Sequence, residues 1–109
     1  MMLSQEVIAL KQKAVVLNTR DNVATALANL KAGDNLELKI SGETLELKLT
    51  TDVPFGHKFS LSDIELNSPV IKYGEIIGIA TTTIKPGEYV HIHNVASARG
   101  RGDLSGGAK

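Results

Sequence analysis

Apolar and polar residues alternate most regularly between positions 36 and 50. Glu37 and Lys39 separate Leu36, Leu38 and Ile40, and Glu46 and Lys48 separate Leu45, Leu47 and Leu49. A period of two puts all six apolar side chains on one face of a strand pair. A two-residue Gly42-Glu43 loop, with Gly supplying a positive φ, predicts the pairs Ile40–Leu45, Lys39–Glu46, Leu38–Leu47, Glu37–Lys48 and Leu36–Leu49. Every apolar residue then meets another and both charged pairs have opposite signs. A slip of one residue would turn the charges inward, so a hairpin is expected here.

Elsewhere the pattern is shorter. Val7, Ile8 and Leu10 give a faint helical period to a lead-in over 1–12. Residues 13–17 (Lys-Ala-Val-Val-Leu) read as a first strand, stopped by Asn18 and Thr19. Asp21 and Asn22 can cap a helix, and Val23, Ala26, Leu27 and Leu30 fall at i, i+3, i+4 and i+7. With Lys31 in the last turn and Gly33 after it, this predicts one short helix. Beyond Thr51 turns dominate. Strands are expected at 57–59, 70–73, 75–81 and 88–95, broken at Gly74 and Pro86-Gly87, with a helical turn or tight loop at 61–64. The Gly-, Arg- and Ser-rich stretch 97–109 has the composition of a flexible tail or linker. The sum is a mostly-β single domain over 13–96, made of short strands, a β-hairpin and one short helix, without repeats at solenoid periods.

The 109 residues suffice for one core and leave no space inside it for a large enclosed site. Thirteen Leu, nine Ile and eight Val against two Tyr and two Phe make that core aliphatic and favour strands. Twelve basic residues balance twelve acidic ones, so no net field draws the chain to nucleic acid or membrane. The absence of cysteine removes disulfides, thiolate metal sites and thiol nucleophiles. With no run of about eighteen apolar residues and no basic, apolar leader, a cytoplasmic location is expected.

Three histidines lie in the second half: His57 within Gly56-His57-Lys58, and His91 and His93 within His-Ile-His-Asn. In a strand, His91 and His93 would share a face. Two such imidazoles can ligate one metal, or hold an anion and exchange protons near neutral pH. Spacing alone is met more simply by polar residues on a solvent-facing edge. Lys58 and Lys72 can clamp an anion or simply be solvated. Asp63 and Glu65 have no spacing that marks an acid/base pair. Gly74 and Gly78 are corner glycines, not a phosphate loop, since no lysine or helix follows. The single Arg99-Gly100-Arg101-Gly102 copy lacks the aromatic residues of an RNA-binding repeat; Arg99 and Arg101 better suit gripping carboxylates of a protein partner.

Three blocks carry a resemblance: 53–59 (Val-Pro-Phe-Gly-His-Lys-Phe), 69–81 (Pro-Val-Ile-Lys-Tyr-Gly-Glu-Ile-Ile-Gly-Ile-Ala-Thr) and 84–95 (Ile-Lys-Pro-Gly-Glu-Tyr-Val-His-Ile-His-Asn-Val). Their order and separation resemble the SAF (antifreeze-like) domain, a β-clip fold, of the altronate/galactarate dehydratase family, from about Asp21 to Asp103. The small subunit of split members such as sulfolactate sulfo-lyase is similar too. The resemblance implies β-elimination from a sugar acid or related hydroxy acid. Loss of the proton α to a carboxylate is followed by release of water, or of sulfite in the sulfo-lyase, aided by a divalent metal, iron or manganese. It also implies that Gly56, His57, Lys58, His91, His93 and Asn94 face the substrate, with His91 and His93 as candidate metal ligands.

The large C-terminal domain of full-length family members has no counterpart in this sequence. The expectation is therefore a small subunit or N-terminal domain of a metal-dependent hydro-lyase, inactive alone, that completes the site of a large catalytic partner. The alternative is a stand-alone carbohydrate- or anion-binding β-clip module without catalysis. A third reading is an interaction domain that docks through its Gly-Arg tail. Homo-oligomerisation is compatible with all three.

Overall fold

The computed structural model describes residues 13–40 and 42–97. Its elements are β1 (Ala14–Val15), β2 (Val23–Ala26), β3 (Asn35–Ile40), β4 (Glu43–Lys48), β5 (Lys58–Ser60), β6 (Pro69–Lys72), β7 (Glu75–Ala80), β8 (Tyr89–Val90) and β9 (Val95–Ser97). All pairings are antiparallel, in three sheets: β1-β2-β5-β8, the β3–β4 hairpin, and β6-β7-β9. The mostly-β class expected from sequence is what forms. The lead-in and residues 98–109, including Arg99 and Arg101, lie outside the described residues.

The central sheet is buried on both faces, because its residues alternate between two cores. Ala14, Ala24, Ala26 and Phe59 pack with Leu36, Leu38 and Leu49 on one side. Val23 and Val90 pack with Ile64, Val70, Ala80 and Ile84 on the other. Thus the β3–β4 hairpin covers one face and the β6-β7-β9 sheet the other. Each fully buried aliphatic side chain contributes about 1.5–3 kcal/mol.

This double burial corrects the expected helix. The stretch from Val23 forms β2, and the described residues contain no helix. A strand covered on both faces needs no polar alternation, so small apolar residues in a row imitate a helical stripe. Asp21 and Asn22 use the capping chemistry on a distant target. Asp21 carboxylate oxygens accept from the N–H groups of Tyr73 and Gly74 (3.1 and 2.8 Å), while Asn22 accepts from Ile71 N–H and donates to the Pro69 carbonyl. They clamp the β6–β7 hairpin rather than start a helix.

Four tight turns among the described residues follow one scheme. A buried aliphatic residue (Leu30, Val53, Ile64 or Ile84) precedes each turn. The turn closes when the N–H of Asp34, His57, Ser68 or Glu88 donates to the carbonyl of Lys31, Pro54, Glu65 or Lys85, at 2.9–3.1 Å. Third in each turn is Gly33, Gly56, Asn67 or Gly87, with φ between 73° and 93°, the type II geometry that Gly and Asn tolerate. Two isolated antiparallel bridges, Leu30–Val53 and Ile64–Ile84, couple the turns in pairs. The N–H groups of Gly33, Gly56, Asn67 and Gly87 then donate at 2.8 Å to the carbonyls of Leu49, Ala26, Ala80 and Ser60.

One of these turns also corrects the hairpin register. The observed partners are Asn35–Lys48, Leu36–Leu47, Glu37–Glu46, Leu38–Leu45, Lys39–Thr44 and Ile40–Glu43. The shift from expectation is two residues, so the apolar face is preserved while Glu37 meets Glu46. The cause lies at the open end: Leu49 donates to the Asp34 carbonyl (2.9 Å) and accepts from Gly33 N–H (2.8 Å). Leu49 is thereby held beyond the ladder, and Gly42 occupies the second loop position with φ 82°. The expected strand over 88–95 is likewise divided: β8 ends at Val90, residues 91–94 turn, and β9 follows.

Candidate functional site

His57 closes the turn that begins at Pro54, and Gly56 gives that turn its left-handed corner, so the Gly-His-Lys block emerges at the mouth of β5. From there the His57 Nδ1 lies 2.7 Å from the Tyr89 hydroxyl on β8. The His57 and His91 ring centroids are 4.8 Å apart. Tyr89 stacks on His91 at 5.5 Å with 9° between planes, and lies 5.4 Å from His93. All three histidines are therefore gathered around one tyrosine.

His91 and His93 reach this cluster from a turn, not from one strand face, which corrects the shared-face geometry. Asn94 makes the turn. It is 1% exposed; its Oδ1 accepts from His91 N–H (2.9 Å) and its Nδ2 donates to the Tyr89 carbonyl (2.8 Å). Both ends of the amide are thus committed to backbone.

Lys58 is half-buried at the start of β5. Burial, and then repulsion from Lys72, hold its pKa below the ordinary lysine value. His91 is held below the ordinary histidine value by loss of hydration and by the charges of His57, Lys58 and His93. Among the described residues, none of these five cations or imidazoles forms an ion pair with a carboxylate; Glu75 faces Lys72 across the β6–β7 turn without one. Asp63 pairs with Lys85 at 3.4 Å, both exposed. Lys58 and His91 line a cavity of about 270 Å³ with Ile77, Ile92 and Val95. Wider depressions of about 420 and 430 Å³ flank the β3–β4 hairpin, but they contain no histidine.

The described residues contain no group of three or more His, Asp or Glu side chains arranged to hold a metal ion. His57 Nδ1 is also engaged by Tyr89. The chain's described residues therefore do not by themselves compose the donor set that the implied divalent metal requires. Sequence reasoning missed Tyr89 and the apolar wall of Ile77 and Ile92. The one available signal for Tyr89 was an aromatic residue two positions before His91.

The short antiparallel strands form a mostly-β domain of SAF-like fold, in which the Gly-His-Lys and His-Ile-His-Asn blocks meet. The chain belongs to the altronate/galactarate dehydratase SAF domain family, whose model matches residues 12–98. It is 44% identical to altronate dehydratase of Escherichia coli K12 over 80 residues, 73% of this chain and 15% of that protein. Over 56 residues it is 39% identical to the alpha subunit of (2R)-sulfolactate sulfo-lyase of Chromohalobacter salexigens, 51% of this chain and 60% of that one. Galactarate dehydratase (L-threo-forming) of Escherichia coli K12 is 43% identical over 44 residues, 40% of this chain and 8% of that enzyme. The match thus spans a small part of the dehydratases and more than half of the sulfo-lyase subunit.

Proposed function

We propose that this chain is the sugar-acid-binding component of a hydro-lyase that eliminates water from an aldonate or aldarate, and that a larger catalytic partner completes the site. The observation that carries this reading is the gathering of His57, His91 and His93 around Tyr89 with the Lys58 charge acting on His91, and no carboxylate among the described residues pairs with any of these groups. Such a face attracts an anion, and a substrate carboxylate set against Lys58 relieves its repulsion from Lys72. Elimination needs a base for the proton α to the carboxylate and an acid for the departing hydroxyl. An imidazole can fill either role, as the base when neutral and as the acid when protonated.

Lys58 and His91 line the cavity beside Ile77 and Ile92, a surface that a partner would cover to complete the site. A divalent metal would stabilise the enediolate-like charge, and most of its ligands would come from that partner. Relatives named as dehydratases and a lyase subunit support the same class of reaction.

The test is a titration of the ¹⁵N-labelled chain with galactarate, and with galactitol as the uncharged control. Shifts at His57, Lys58 and His91 with galactarate alone, weakened at least about tenfold by Lys58→Ala and by added salt, are expected. Equal responses to both compounds, or shifts confined to other surfaces, would refute the anion site.

A further inference from the structure

Tyr89 stands at the centre of the imidazole cluster, and the elimination chemistry above gives it no role. Its backbone is pinned on both sides: its N–H donates to Thr51 Oγ1 at 2.9 Å, and its carbonyl accepts from Asn94 Nδ2 at 2.8 Å. It also pairs with Phe59 across β5 and β8, and Phe59 is fully buried. The ring is consequently a fixed reference for its three neighbours. Its hydroxyl meets His57 Nδ1 at 2.7 Å and its face stacks on His91.

We propose that Tyr89 is a positioning residue that sets the tautomer of His57. A phenol is a stronger hydrogen-bond donor than acceptor, and an unprotonated imidazole nitrogen is a strong acceptor, so the hydroxyl donates to Nδ1 and the neutral imidazole keeps its proton on Nε2. A neutral imidazole has one donor and one acceptor nitrogen, and a partner on one nitrogen decides what the other offers. With Nδ1 accepting from the phenol, Nε2 presents an N–H to an incoming carboxylate or hydroxyl. The opposite arrangement would present a bare lone pair to an anion, which is repulsive. Stacking on His91 fixes a second ring plane in the same stroke, with offset aromatic contact adding to packing. Only the use made of Nε2 rests on the proposed anion site; the tautomer itself is a property of the free chain.

The test is a long-range ¹H–¹⁵N correlation spectrum of the 109-residue chain at a pH where its histidines are neutral. His57 is expected to carry its proton on Nε2. Tyr89→Phe keeps the ring and removes the hydroxyl, and it should reduce that preference roughly two- to tenfold, the equivalent of one hydrogen bond. Restoring tyrosine restores the pattern. A proton on Nδ1 in the unsubstituted chain overturns the proposal without any variant, and so does a His57 pattern unchanged by Tyr89→Phe. The galactarate titration separates the two readings. Binding with the proton on Nδ1 sinks this inference alone, whereas an Nε2–H tautomer in a chain blind to galactarate sinks the anion site alone.

Discussion

Protonating His91 is disfavoured in the folded chain, because loss of hydration and the charges of His57, Lys58 and His93 all oppose a further positive charge. The unfolded chain has no such restraint, so it takes up the proton first as the pH falls through about 6.5. His91 therefore leaves stability untouched above that range and erodes it below, down through the depressed folded-state value. Denaturant titrations at pH 8 and pH 5.5 should show a loss on acidification that His91→Gln reduces. An identical loss in the variant would show that the strain lies elsewhere. Lys58 follows the same sign at higher pH: burial and then the Lys72 charge lower its folded-state value, so its contribution falls as the pH drops below the ordinary lysine range. Legibility at this scale was uneven. The Gly-His-Lys and His-Ile-His-Asn blocks were visible as candidate chemistry, yet nothing local showed that Asn94 spends its amide on the backbone or that Tyr89 gathers the three rings. Those facts depend on a turn between β8 and β9 that divides what reads as one strand.

At the scale of elements, alternation revealed the β3–β4 hairpin and its buried face, because period two is a local property. Register was decided from outside the hairpin, by Leu49 bonding to Gly33 and Asp34 at the neighbouring turn. The outcome places Glu37 opposite Glu46. Glu37→Lys should accordingly stabilise the chain, by about 0.5 kcal/mol, in chemical denaturation. In the register with Glu37 opposite Lys48 the same change would destabilise, so the sign of the effect decides. The misread helix has a related cause: β2 lies between two cores, and a strand without a solvent face loses the signal by which strands are recognised. Similarly, the oxygens of Asp21 and Asn22 do accept backbone N–H groups, but about fifty residues away, where no window along the sequence reaches.

For the whole molecule, the cavity of about 270 Å³ sets one lysine and one imidazole, Lys58 and His91, against the apolar Ile77, Ile92 and Val95. The blocks at 53–59, 69–81 and 84–95 pointed to the SAF family, and between them they supply Lys58, Ile77, His91 and Ile92 to this cavity. The recurrence of the four type II turns was harder to see. Pro86-Gly87 is a strong turn signal, whereas Glu65-Leu66-Asn67 becomes one only when its φ of 73° is known. The matched region makes up 15% of the altronate dehydratase of Escherichia coli K12, so the direct trial of a half-site is to place this chain where that region stands. Dehydration of altronate by the resulting chimera, with none by the chain alone and at least about a hundredfold loss on Lys58→Ala, is the expected result, since it removes a charge-assisted contact from the site. Turnover by the isolated chain, or a chimera whose rate ignores Lys58→Ala, would contradict it.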